Sequence, residues 1–141
     1  MKLSARNVWF GTVACIEHGA VNSVVSVQLK GNDNITSMIT DSSVKRLALG
    51  PGKEVMAIVK ASNVMLGCDT DSTKISARNI LTGIVSNIVS GVVNDEITIE
   101  LPGGSTVTAI ITSASVKRLN ITVGKTISAI IKASDVLLAV S

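Results

Sequence analysis

Polar and apolar positions alternate through "NSVVSVQL" (Asn22–Leu29), the two-residue period of a half-buried strand. "VWFGTVACIEHG" (Val8–Gly19) opens another strand before it, and "KGND" (Lys30–Asp33) supplies a glycine-bearing hairpin turn. "ITSMIT" (Ile35–Thr40) makes the return strand. The pattern then shifts: Thr40, Asp41 and Ser43 precede an apolar-basic stretch that stops at Gly50 and Pro51. Capping residue types in front and breakers behind predict a short helix. A last strand, "KEVMAIVKASNVML" (Lys53–Leu66), closes the unit. Five short strands with one short helix before the last predict a small closed barrel of the OB type.

The whole pattern occurs twice. "KLSARN" (Lys2–Asn7) returns as "KISARN" (Lys74–Asn79), an offset of 72 residues (74 − 2) that holds to the end of the chain. "GAVN" (Gly19–Asn22) falls on "GVVN" (Gly91–Asn94), "SVKRL" (Ser43–Leu47) on Ser115–Leu119, and "AIVKASNV" (Ala57–Val64) on "AIIKASDV" (Ala129–Val136). The expected organisation is two tandem five-stranded barrels, residues 1–69 and 73–141, joined by a short polar linker at 70–72. Trp9, Cys15, Glu17 and His18 become Leu81, Asn87, Val89 and Ser90 in the second copy. Reactive residue types are not repeated, whereas small, polar and basic ones are.

Composition sharpens this. Hydrophobic residues fill 46% of the chain, but aromatics are only Trp9 and Phe10, and charged residues reach only 16%. Val, Ile and Thr make up roughly a third, and branched side chains favour pleated strands. A barrel of roughly 70 residues buries little surface alone, so oligomerisation is expected. Cys15 and Cys68 read as small apolar residues in a reducing compartment. No charged-then-apolar leader opens the chain and no apolar run approaches the ~20 residues of a membrane span, which predicts a cytoplasmic protein. The net charge of +3 permits an anionic partner without demanding nucleic acid.

Three polar clusters recur. They are Ser4-Ala5-Arg6, Thr40 with Ser43, and Lys60-Ala61-Ser62, matched by Ser76-Ala77-Arg78, Thr112 with Ser115, and Lys132-Ala133-Ser134. Taken singly, they are helix caps and solvated strand-edge charges. Taken together, they are all hydrogen-bond donors suited to a compact tetrahedral oxyanion, with Arg and Lys adding charge-assisted bonds. No repeated carboxylate competes, and no metal, nucleophile or cofactor is required. His18 is alone, "GPGKEV" (Gly50–Val55) lacks the phosphate-loop pattern, and no duplicated arrangement supports a nucleophile, so no active site is expected.

"SARN" opening a β-rich unit, "GAVN" at a turn, "SVKRL" at the helix and "GKEV…AIVKASNV" at the end resemble the molybdate-binding, or Mop, domain of the molbindins. The resemblance covers almost the entire chain, once per copy, with neither a helix-turn-helix nor a phosphate loop attached. It implies cytoplasmic storage of molybdate and tungstate, bound as intact oxyanions between protein units without protein–metal bonds. Ser4, Ala5 and Arg6 would come from one unit, and Thr40, Ser43, Lys60, Ala61 and Ser62 from its neighbour. Ser76, Ala77, Arg78, Thr112, Ser115, Lys132, Ala133 and Ser134 would do the same for the second copy. The resemblance also implies a second kind of site on a threefold axis, for which Gly19, Ala20, Val21 and Asn22 with Gly91, Val92, Val93 and Asn94 are the candidates. A homotrimer carrying six barrels follows from it.

Other readings differ in what they need. Nucleic-acid binding by an OB barrel uses stacking aromatics along a basic groove, and Trp9 and Phe10 are unrepeated. An oxyanion-sensing adaptor acting through a protein partner would use the same donors as a store. An enzyme has least support, since nothing repeated can do acid–base or covalent work.

Overall fold

In a computed structural model, which describes residues 1–141, the first half forms β1 (Asn7–Glu17), β2 (Asn22–Gln28), β3 (Asn34–Thr40), helix α1 (Asp41–Arg46), β4 (Glu54–Val59) and β5 (Met65–Gly67). The second half repeats it as β6 (Asn79–Val89), β7 (Asn94–Glu100), β8 (Thr106–Thr112), α2 (Ser113–Arg118), β9 (Thr126–Ile131) and β10 (Leu137–Ala139). Alternation works as expected in β2, where Ser23, Val25 and Val27 point inward. The eleven-residue β1 and β6 each carry a bulge, between Val13 and Cys15 and between Val85 and Asn87, which bends a long strand around the core. The mainly β architecture with two five-stranded sheets and two short helices is therefore as expected from the sequence.

The closing strands are not. "KEVMAIVKASNVML" is not one strand but two, broken by a 3-10 turn at Ala61–Asn63. Asn63 N–H bonds back to the Lys60 carbonyl at 2.9 Å, which redirects the chain out of its own barrel. β5 then pairs with β9 of the second half, and β10 pairs with β4 of the first. The sheet orders are β10-β4-β1-β2-β3 and β5-β9-β6-β7-β8. Neither half closes itself; each completes the other. An unbroken apolar run conceals such a crossing, because both the straight and the exchanged path bury the same residues, Val64 and Val136 among them.

Other contacts tie the halves across this exchange. Asn7 is 2% exposed; its amide donates to the Thr108 carbonyl at 2.8 Å and accepts from Thr108 N–H at 2.7 Å. Asn79 makes the same two-bond clamp on Thr36, both bonds 2.7 Å. Trp9 Nε1 donates to the Thr106 carbonyl at 2.8 Å. The β2–β3 and β7–β8 turns meet at Gly31 and Gly103, where Gly103 N–H donates to Asp33 at 3.0 Å. Gly31 has φ of 65°, and a Cβ on Gly103 would lie 2.6 Å from the Lys30 carbonyl oxygen, so both positions call for glycine. One apolar cluster runs through both halves. No helix is long and apolar enough to cross a membrane.

Candidate oxyanion site

Asn7 pairs with Val59, so the residues just before β1 and just after β4 project from the same end of one strand pair. Ser4, Ala5 and Arg6 thereby meet Lys60, Ala61 and Ser62. With Ile110 of β8 they line an open recess of about 230 Å³. Within the single chain, the strand pairing of one half already brings Ser4–Arg6 and Lys60–Ser62 together. What the other half supplies is the wall. The Ala61–Asn63 turn packs on β8, and the Ala133–Asp135 turn packs on β3.

Thr112 lies two residues beyond Ile110, so the two side chains share a face of β8, and the strand leads from the recess to the start of α2. Neither Thr112 nor Ser115 lines the recess itself. Thr40 and Ser43 occupy the equivalent positions on β3 and α1, and Asn79 and the Ala133–Asp135 turn both dock on β3. Thr40 and Thr112 are also true helix caps: each Oγ1 accepts from the backbone N–H three residues on, at 3.1 Å. Each threonine hydroxyl donates to the Oγ of Ser43 or Ser115 at 2.8 Å, which leaves those serine hydroxyl protons free to point outward.

Gly19, Ala20, Val21 and Asn22 form the β1–β2 turn, and Gly91, Val92, Val93 and Asn94 its repeat; both are exposed. Each turn is tied to a helix start, Asp41 N–H donating to Val21 and Ser113 N–H to Val93, both at 2.8 Å. The Gly91 N–H, one of the donors a turn-backbone site would use, already bonds Asp95 Oδ1 at 3.1 Å.

Three residues escaped the sequence reading. Asn7 and Asn79 sit in the repeated hexapeptide, and their recurrence was the available signal; both are structural clamps rather than anion donors. Glu96 accepts from both Arg6 guanidinium nitrogens, one at 2.9 Å. The carboxylate raises the Arg6 pKa above its already high ordinary value, first through the hydrogen bonds and then through charge. Nothing in the sequence announced this pair, since the partners lie 90 residues apart and the counterpart of Glu96 is Val24. Arg78 forms no ion pair.

The recess can hold a small anion by charge and hydrogen bonds, and no three His, Cys, Asp or Glu side chains converge to hold a metal ion. A family model described as "TOBE domain" matches residues 3–66 and again 75–138. The chain belongs to the TOBE-domain family. Its two TOBE copies match a crystal structure of the cytoplasmic molybdate-binding protein ModG, grown with molybdate bound, with a TM-score of 0.95 and 46% identity, over 100% of both chains. The molybdenum transport protein ModE of Azotobacter vinelandii is 43% identical over 99% of the chain and 52% of its own length. The molybdenum-pterin-binding protein MopA of Rhodobacter capsulatus is 42% identical, again over 99% and 52%. The TOBE pair thus spans about half the length of these curated relatives. The resemblance to tandem molbindin domains read from "SARN", "GAVN" and "SVKRL" is borne out.

Proposed function

We propose that the chain binds molybdate and tungstate as intact oxyanions and acts as a cytoplasmic store for them. The observation that carries this is the recess where Ser4, Arg6, Lys60 and Ser62 converge, with the same residue types recurring at Ser76, Arg78, Lys132 and Ser134, in a chain alike along its full length to a molybdate-binding protein. Thr112 with Ser115, and Thr40 with Ser43, complete the two donor sets from the opposite half. The binding units correspond to residues 1–69 and 73–141 with 70–72 between them, although each borrows its last strand. Assembly into a homotrimer would cover exposed Val21, Val92 and Val93 and bring the turns Gly19–Asn22 and Gly91–Asn94 to a threefold axis. No catalytic step and no nucleic acid enters this reading.

Selectivity follows from size rather than charge. Molybdate and tungstate are dianions of nearly equal radius, and sulfate is a smaller one. Donors fixed at the spacing of the larger ion leave sulfate with long, weak bonds, because hydrogen-bond strength falls steeply with distance and angle. Equilibrium dialysis against micromolar molybdate, with and without excess sulfate, tests the proposal. Retention of more than one molybdenum per chain, displaced by tungstate and not by sulfate, is expected. No retention, or displacement by sulfate, overturns it.

Sensing is the second reading, favoured by the match to about half of a protein named transcriptional regulator ModE. A molybdate-dependent pull-down of a protein partner would support it over storage.

A further inference from the structure

The two donor sets differ in their acidic neighbours. Arg6 presents its planar fork to Glu96, and both guanidinium nitrogens are engaged. That fork is the same group that would take two oxygens of a tetrahedral anion, so carboxylate and ligand need the same N–H donors. At the second recess the residue in the place of Glu96 is Val24, paired across the sheet with Met38. An adjoining recess lined by Ser4, Ala5 and Lys60 also contains Asp135, whose counterpart is Asn63. Two acids therefore stand near the first donor set, and the positions that repeat them are uncharged.

We infer that Glu96 is an internal competitor for the oxyanion at the Arg6 recess, which makes the two sites of the chain unequal. The inference rests on the proposed oxyanion binding and specifies its regulation. The Arg78 site fills first. The Arg6 site fills only as the incoming dianion displaces the Glu96 carboxylate from the guanidinium. The Arg6 side chain is 51% exposed and that of Glu96 26%, so the pair is water-screened and displaceable, a gate rather than a lock. A chain with one open and one gated site takes up ligand over a wider concentration range than a chain with two equal sites.

The test compares molybdate isotherms of the full chain as wild type, Glu96→Val and Val24→Glu, with a thermal melt of each. Glu96→Val places the second copy's residue beside Arg6, and Glu96→Gln repeats the test with a polar side chain of the same length. The wild type is expected to show two affinity classes. Both Glu96 variants should tighten the weaker class about tenfold, and Val24→Glu should weaken the tighter class by a similar factor. Glu96 variants that melt earlier but keep both affinities would make the ion pair a tie between halves and overturn the inference. A single affinity class in the wild type would also overturn it while leaving oxyanion binding intact. Retention of no molybdate by any variant would remove the functional reading itself, and the inference with it.

Discussion

The first and second halves share every strand, the helix, the bulge and the exchanged tail, yet they differ in how polar groups are spent. At the helix start of the first half, Ser23 on β2 donates to Asp41 on α1. In the second half Ser113 on α2 donates to Asp95 on β7. The serine and the acid have traded places, and the hydrogen bond between strand and helix survives with its direction reversed. Asn7 and Asn79, by contrast, are identical in residue, partner position and geometry. A bond between two side chains can be kept by many pairs of residues. A two-bond clamp on the backbone N–H and C=O of one residue needs a side-chain amide, which offers a donor and an acceptor side by side. The amide clamp is kept residue for residue, whereas the serine–acid pair is kept only as a pair.

The largest effect that would break this comparison comes from the clamps. Asn7→Ala removes the side-chain partners of the Thr108 N–H and C=O, and Asn79→Ala does so for Thr36. Each orphaned group costs about 1–3 kcal/mol, so each variant should lose roughly 2–6 kcal/mol in urea unfolding. Because both clamps join the halves, the two losses should be alike. A loss below about 0.5 kcal/mol in either would mean that water replaces the clamp.

Trp9 against Leu81 is the next contrast. Trp9 is buried and its indole N–H reaches across to Thr106, a bond that Leu81 cannot make. Trp9→Leu makes the first half chemically like the second, and it should cost about 2 kcal/mol through lost volume and one lost hydrogen bond. An unchanged unfolding midpoint would show that the first barrel already tolerates the second's packing.

How much of this could be read in the chain depended on whether the physics was local. Strand alternation, the helix cap at Thr40 and its repeat at Thr112 need only neighbours, and all were legible. The grouping of Ser4–Arg6 with Lys60–Ser62 was half legible: the residues were singled out by repetition, but their partnership depends on the register of β1 with β4. The strand exchange was not legible, because the turn at Ala61–Asn63 is written in residues that suit a strand equally well. Glu96 was hidden by the repeat itself. Looking for what recurs draws attention away from a residue whose counterpart is valine, and that unrepeated acid is the one that meets Arg6.

The smallest expected effect tests the exchanged serine and acid. Asp41 is held below the usual carboxylate pKa of 3.8 by hydrogen bonds from His18, then Ser23, then Lys45. Asp95 is held below it by Ser113 and then by the Gly91 N–H. A carboxyl with a lowered folded-state pKa stabilises the fold fully above its unfolded value. That contribution disappears as pH falls through the folded value, so the thermal midpoint should decline below about pH 4. Replacing either acid by asparagine should flatten that decline by its own share. The sharper version exchanges the pair in one half: Ser23→Asp with Asp41→Ser writes the second half's arrangement into the first. Each single change leaves two acids or two serines facing each other and should lower the midpoint at pH 7, while the double variant should recover most of it. Lys45 recurs as Lys117, but His18 lies on the first half alone, its counterpart being Ser90, so recovery should fall short by what His18 contributes to Asp41. A double variant no better than the worse single would show that direction matters, and that the two helix starts are not interchangeable after all.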